Sequence, residues 1–336
     1  MYSKILPTLD AGNSIGIFSP SYQITYDAPY ASKKAEQFLT DKGYKIIKGS
    51  CYNKSDCEYR SGTIKERADE LNNLIHNDDI KCIMAAAGGY VSDSILPYID
   101  YDYLKIHPKI IVGHSDVTSV LLAVYEECSF PVFYGPNLVT SFSHNSYYAE
   151  FAFNSFIKAI NTNGSYLMET PEYYSDETTD WDKSEKDFEK IVENEKKVIN
   201  KLKTINGGKA RGRLIGGNTD NLSLLYGKKY CPEIKQGDIL FLENINETAD
   251  FFERIMSALY IEDILNKISG LIIGKPKNYD DIGSKKTEID ILKEILRDFN
   301  FPILADFDCG HTLPINTMPI GKTIELDAAS QTVKVL

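Results

Sequence analysis

The chain is poor in the residues that most often announce a site. In 336 residues it has one tryptophan, Trp181, five histidines and six cysteines. The cysteines stand at positions 51, 57, 82, 128, 231 and 309 and form no C-x-x-C pair, so the common zinc and dithiol motifs are excluded. Cys309 and His311 lie two apart, but no second ligand pair accompanies them, and no metal site is expected. Basic residues are also short: 37 Lys and Arg against 48 Asp and Glu give a net charge of -11, which argues against a nucleic-acid polymer as the main partner. No apolar run approaches the length of a membrane span. The opening Met-Tyr-Ser-Lys-Ile-Leu-Pro lacks the charged and apolar regions of a signal peptide. A cytoplasmic protein with reduced cysteines and no membrane partner is therefore expected. There is no Gly-x-Gly-x-x-Gly, and Gly274-Lys275-Pro276 lacks both the glycine and the Ser or Thr of a phosphate-binding loop.

What is present is the composition of a soluble globular chain, 43% hydrophobic and 25% charged, long enough for two cores. Apolar strands at 14–18, 44–47, 80–87 and 110–112 alternate with amphipathic helices at 31–39 and 63–75. Such alternation predicts an α/β fold with a mostly parallel N-terminal sheet and flanking helices. A helix over 147–160 closes this part. Residues 161–206 are polar and charged, with a predicted helix over 183–202, and read as a connecting segment and candidate substrate loop. From 207 the pattern resumes, with strands at 212–215, 237–242, 270–273 and 302–305 and a terminal hairpin over 323–336. The expected division is thus 1–160, 161–206 and 207–336, the last a smaller α/β domain with its own sheet.

Gly113-His114-Ser115-Asp116 lies between the short strand and a helical repeat. A glycine, one residue, then serine at a strand-to-helix turn is half of the nucleophile-elbow signature. The same serine is also a good N-cap, with Asp116 a good first-turn acid. A nucleophile needs a base and an orienting acid. Among the histidines, His311 follows a strand and a glycine in a turn-rich segment, where catalytic histidines are favoured. Residue alternation aims His114 away from Ser115. Glu243 ends the apolar run Ile-Leu-Phe-Leu-Glu, where a carboxylate is costly unless paired; imidazolium or a structural arginine would serve. Glu247 is the second candidate. Trp181 reads either as packing or as a ligand contact.

These segments resemble the serine peptidases that include murein LD-carboxypeptidases and the microcin C self-immunity protein. The resemblance rests on Ser19-Pro20-Ser21, Gly88-Gly89-Tyr90, Gly113-His114-Ser115-Asp116, Tyr134-Gly135-Pro136, Gly216-Gly217-Asn218, Phe241-Leu242-Glu243 and Gly310-His311. It implies two α/β domains meeting at a triad of Ser115 as nucleophile, Glu243 as orienter and His311 as base. The oxyanion donors would be the backbone N–H groups of Gly89 and Asp116, and Gly88, Trp181 and Asn218 would touch substrate. Tyr173 and Tyr174 would add stacking faces. No metal or organic cofactor is implied, and a homodimer is. One departure is His114, where the family usually has an aromatic residue. The long segment carrying Trp181 resembles the microcin-immunity branch, which implies cleavage of an amide-type bond in a small peptidyl- or aminoacyl-nucleotide. The rival readings are a murein LD-carboxypeptidase, acting on tetrapeptides, and a non-catalytic two-domain binding protein.

Overall fold

A computed structural model describes residues 6–181 and 183–336. Residues 1–5, part of the stretch read for a signal peptide, lie outside the described residues. Five strands, β1 (Ser14–Phe18), β2 (Lys45–Lys48), β3 (Ile80–Ala85), β4 (Ile110–Gly113) and β5 (Val132–Tyr134), pair in parallel in the order β5-β4-β3-β1-β2. Every residue of β1, β4 and β5 is buried, as expected of strands covered on both faces. The helix Ile64–His76 starts at a capping box in which Thr63 and Glu66 satisfy each other's backbone N–H groups. It buries Ala68, Leu71, Leu74 and Ile75. The helix Thr118–Cys128 carries Val120 to Val124 in an unbroken buried run. It is a central helix, apolar nearly all round.

The segment after residue 160 is more ordered than its charge suggests. It holds β6 (Tyr166–Leu167), β7 (Tyr173–Tyr174), β8 (Val198–Ile199) and β9 (Lys203–Asn206). The helix expected over 183–202 spans only Glu185–Glu193. It stops where the β-branched pair Val198–Ile199 turns to pair with β7. Phe188 and Val192 anchor its apolar side.

The second sheet adds β10 (Lys209–Asn218), β11 (Ile239–Glu243), β12 (Gly270–Gly274), β13 (Ile303–Phe307), and then β15 (Thr323–Asp327) and β16 (Thr332–Val335) after β14 (Met318–Ile320). Its order is β6-β16-β15-β10-β11-β12-β13-β9, so it is the wider of the two sheets. β10 to β13 are parallel; β10 pairs through Lys209 to Arg213 with antiparallel β15, and through Leu214 to Asn218 with β11. β14 crosses back and adds to the first sheet, antiparallel to β5. Among the described residues no helix is long and apolar enough to cross a membrane. The carboxyl ends of β3, β4, β10, β11 and β13 converge, and sites in parallel sheets form there.

Candidate active site

The elbow begins with a backbone cost. Ser115 has φ +66°, a left-handed value rarely adopted by serine. Its hydroxyl caps neither the following 3-10 turn Ser115–Val117 nor the helix Thr118–Cys128. The capping alternative for Ser115 therefore fails. The left-handed turn also breaks strand alternation, so His114 does not point away as expected. Both residues line one cavity of about 680 Å³, with Gly88, Gly89, Trp181, Asn218 and His311.

Tyr134, at the end of β5, holds the turn. Its phenolic oxygen accepts the Ser115 N–H at 2.9 Å, and its O–H donates to Glu243 Oε1 at 2.5 Å. With its N–H so engaged, Ser115 has no backbone donor to spare for a developing charge. Gly88 packs on the other side: a Cβ there would lie 2.7 Å from Ser115 Cβ and 3.1 Å from the Asp116 backbone nitrogen. The glycine thus lets the Gly88-Gly89 turn approach the serine and the Asp116 N–H together. Ser21 fixes that turn by accepting the N–H groups of Tyr90 and Val91 at 2.9 and 3.0 Å. Buried Arg67 donates to the carbonyls of Gly62 and Val91 and to Pro20. The Asp116 carboxylate faces away, taken up by Ser92 N and Asn221 Nδ2, both at 2.9 Å.

Glu243 is the last residue of β11 and fully buried. Its Oε2 accepts from His311 Nδ1 at 2.7 Å, and its Oε1 accepts from Tyr134 and, at 3.0 Å, from Asn218 Nδ2. Burial alone would raise its pKa, but the His311 charge and the three hydrogen bonds prevail and hold it below the usual range. Gly310 brings the histidine loop in: a Cβ there would meet Glu243 Oε2 at 2.6 Å. Because Nδ1 donates to the carboxylate, the neutral His311 ring keeps its lone pair on Nε2.

His114 is a second buried imidazole, edge-on to His311 with ring centroids 5.4 Å apart. Its Nδ1 donates to the Gly135 carbonyl at 2.9 Å, and burial and the neighbouring His311 push its pKa down to about 4. It is a neutral acceptor through Nε2. Asn218 lines the cavity, but its amide is committed to Glu243 and to the Asn221 N–H, which it caps at 3.4 Å. It steadies the acid rather than presenting a free amide to substrate. Glu247 is buried away from the histidine, its Oε2 accepting from Asn244 Nδ2 at 3.2 Å. The orienting geometry belongs to Glu243.

Trp181 forms a far wall, packed on His144 at 5.2 Å and on Phe188 at 6.1 Å between ring centroids. His144 is itself fixed by Glu195. Tyr173 and Tyr174 do not line the cavity; they form β7, with Lys275 over the Tyr174 ring. No group of three His, Cys, Asp or Glu side chains is disposed to hold a metal among the described residues. The buried Cys309 thiol, pushed well above its usual pKa by burial, is no ligand as it stands.

The sequence did not reveal Tyr134, His114 or Arg67 as site-building residues. Tyr134 and His114 lie inside the recognised segments, but their contacts are made across more than 100 residues of chain or around a turn that reverses direction. Arg67 carried a signal of sorts, a lone arginine on the apolar side of a helix.

Residues 15–135 match the LD-carboxypeptidase N-terminal domain, and residues 211–326 the LD-carboxypeptidase C-terminal domain. The microcin C7 self-immunity protein of Escherichia coli is 38% identical over 329 residues, 97% of this chain and 94% of that protein. A solved structure of microcin C7 self-immunity protein in complex with aspartyl sulfamoyl adenosine superposes with a TM-score of 0.93 at 38% identity, covering 98% of each chain. A related protein from Bacillus anthracis gives a TM-score of 0.87 at 29% identity, covering 99% of each chain.

Proposed function

The chain belongs to the LD-carboxypeptidase family of serine peptidases, and we propose that it hydrolyses an amide-type bond in small aminoacyl- or peptidyl-nucleotides through a Ser115-Glu243-His311 triad. The observation that carries this reading is the 2.7 Å bond from His311 Nδ1 to buried Glu243, in the same cavity as a left-handed Ser115 whose hydroxyl caps nothing. His311 Nε2 takes the Ser115 proton as Oγ attacks the carbonyl carbon. The oxyanion faces the N–H groups of Gly89 and Asp116, worth about 3 kcal/mol per donor in the transition state. His311 then protonates the leaving nitrogen, and water, deprotonated by His311 in turn, releases the acyl group and restores Ser115. Tyr134 and Asn218 keep the Glu243 carboxylate aimed and charged throughout.

The nucleotide end is assigned to Trp181. An indole face in a cavity of this size suits a base, and a similar protein has been solved with an aminoacyl sulfamoyl nucleoside. The chain works in the cytoplasm as a homodimer. The rival murein reading puts a tetrapeptide in the same site. Turnover of aspartyl sulfamoyl adenosine against a murein tetrapeptide separates the two. Faster turnover of the tetrapeptide would overturn the nucleotide reading and keep the triad. Failure of a serine-directed acylating probe to label Ser115 would overturn the triad.

A further inference from the structure

Lys277 lies on the loop after β12, where Ile245 pairs with it across a single parallel bridge and the Asn246 N–H donates to its carbonyl at 2.9 Å. This pairing ties it to the loop that follows Glu243. The side chain lines the cavity. Among the described residues its ammonium forms no ion pair and no hydrogen bond. Burial pushes its pKa down, opposed by the carboxylates of Asp176 and Glu195. Both of those are engaged elsewhere, Asp176 with Lys196 at 3.7 Å and Glu195 with His144. The positive field of Lys277 also reaches His114, beside the serine. The side chain thus borders the same cavity as Ser115 and His114 on one hand and His144 and Trp181 on the other. A partly desolvated cation with no counter-ion is costly, and a ligand anion removes that cost.

We propose that Lys277 is the anion subsite of this cavity, taking an anionic oxygen group of the substrate. Two sources supply that chemistry in an aminoacyl-nucleotide: a carboxylate on the acyl part, or the phosphoryl-type group that links it to the nucleoside. The proposal rests on the acyl-transfer reading for the identity of the ligand, but its test needs no turnover.

Affinities are measured calorimetrically in a Ser115→Ala background, which leaves ligands uncleaved, with Lys277 intact, as Lys277→Met and as Lys277→Arg. Two ligand pairs each differ by one anion: aspartyl against asparaginyl sulfamoyl adenosine, and adenosine monophosphate against adenosine. Lys277→Met is expected to lower the preference for the anionic member of one pair by roughly tenfold to a hundredfold, the range for a charged hydrogen bond. Lys277→Arg should retain most of it. A change confined to the first pair assigns the carboxylate, and one confined to the second assigns the linking group. If neither preference moves, or if both members of each pair weaken equally, the proposal is wrong. An absence of anion preference with Lys277 intact would overturn it as well. Loss of turnover in the wild-type protein would count against the triad alone.

Discussion

Tyr134→Phe isolates the link between elbow and acid. The hydroxyl it removes is fully buried and makes two bonds, to Glu243 Oε1 at 2.5 Å and from the Ser115 N–H at 2.9 Å. A hydrogen bond to a buried charge is worth about 2 kcal/mol. The orphaned Ser115 N–H adds about 1 kcal/mol, the low end for an unmet donor, because Ser115 borders the cavity and water can reach it. The variant should lose about 3 kcal/mol in urea unfolding, read from the midpoint at constant slope. The loss should depend on pH. Glu243 is held below its ordinary pKa, so it stabilises the fold above that pKa, and the contribution fades as acidification protonates it. Tyr134 is one cause of that depression, so wild type and variant should differ most at neutral pH and approach each other at low pH, to within the pH-independent loss of about 1 kcal/mol at the Ser115 N–H. Turnover should fall roughly tenfold to a hundredfold, as expected when a reacting group is displaced by a fraction of an ångström to an ångström. A stability loss under about 1 kcal/mol, or a loss that stays constant with pH, would refute the charge-assisted bridge.

The remaining expectations concern other parts of the cavity. Ser115→Ala and His311→Ala should each cost nearly as much turnover as the double variant, because triad members act as a unit; additive losses would separate His311 from Ser115. Trp181→Ala should lower kcat/KM on nucleotide-bearing substrates by roughly tenfold to a hundredfold and leave simple peptides little changed. Equal losses on both would make Trp181 a packing residue for His144 and Phe188. Glu247 is pushed up to about 9, first by burial and then by Asp220, and so stays protonated at neutral pH. The native state then holds a proton that the unfolded chain has released, so stability should fall as pH rises from the ordinary carboxylate range towards 9, by at most about 1.4 kcal/mol per pH unit. Glu247→Gln should flatten that slope in urea titrations across the same range, and an unchanged slope would assign it to another group.

The parts of the site that follow from local chain chemistry were legible. A glycine before a serine after a β-branched run announces a sharp turn, and a glutamate closing an apolar strand announces a paired charge. Contacts made across the chain were not. Nothing around Tyr134 marks its hydroxyl for a carboxylate 109 positions away. The orientation of His114 failed for a definite reason: two-residue alternation ends where Ser115 turns left-handed. The charged run over 183–202 reads as one solvated helix in the sequence, whereas Val198–Ile199 is claimed by a strand partner in β7. Lys277 carried no local signal, since an unpaired lysine looks like any surface lysine until its neighbours are placed.

β14 sits in the first sheet although it is among the last segments of the chain. During synthesis the edge of β5 thus waits bare until residues beyond 320 have left the ribosome, about 186 residues after Tyr134. A nascent or truncated N-terminal half would present that edge, with its unmet backbone groups, to any passing strand. The two halves are accordingly poor candidates for separate expression, and nonsense alleles late in the reading frame should yield aggregates rather than a stable N-terminal fragment.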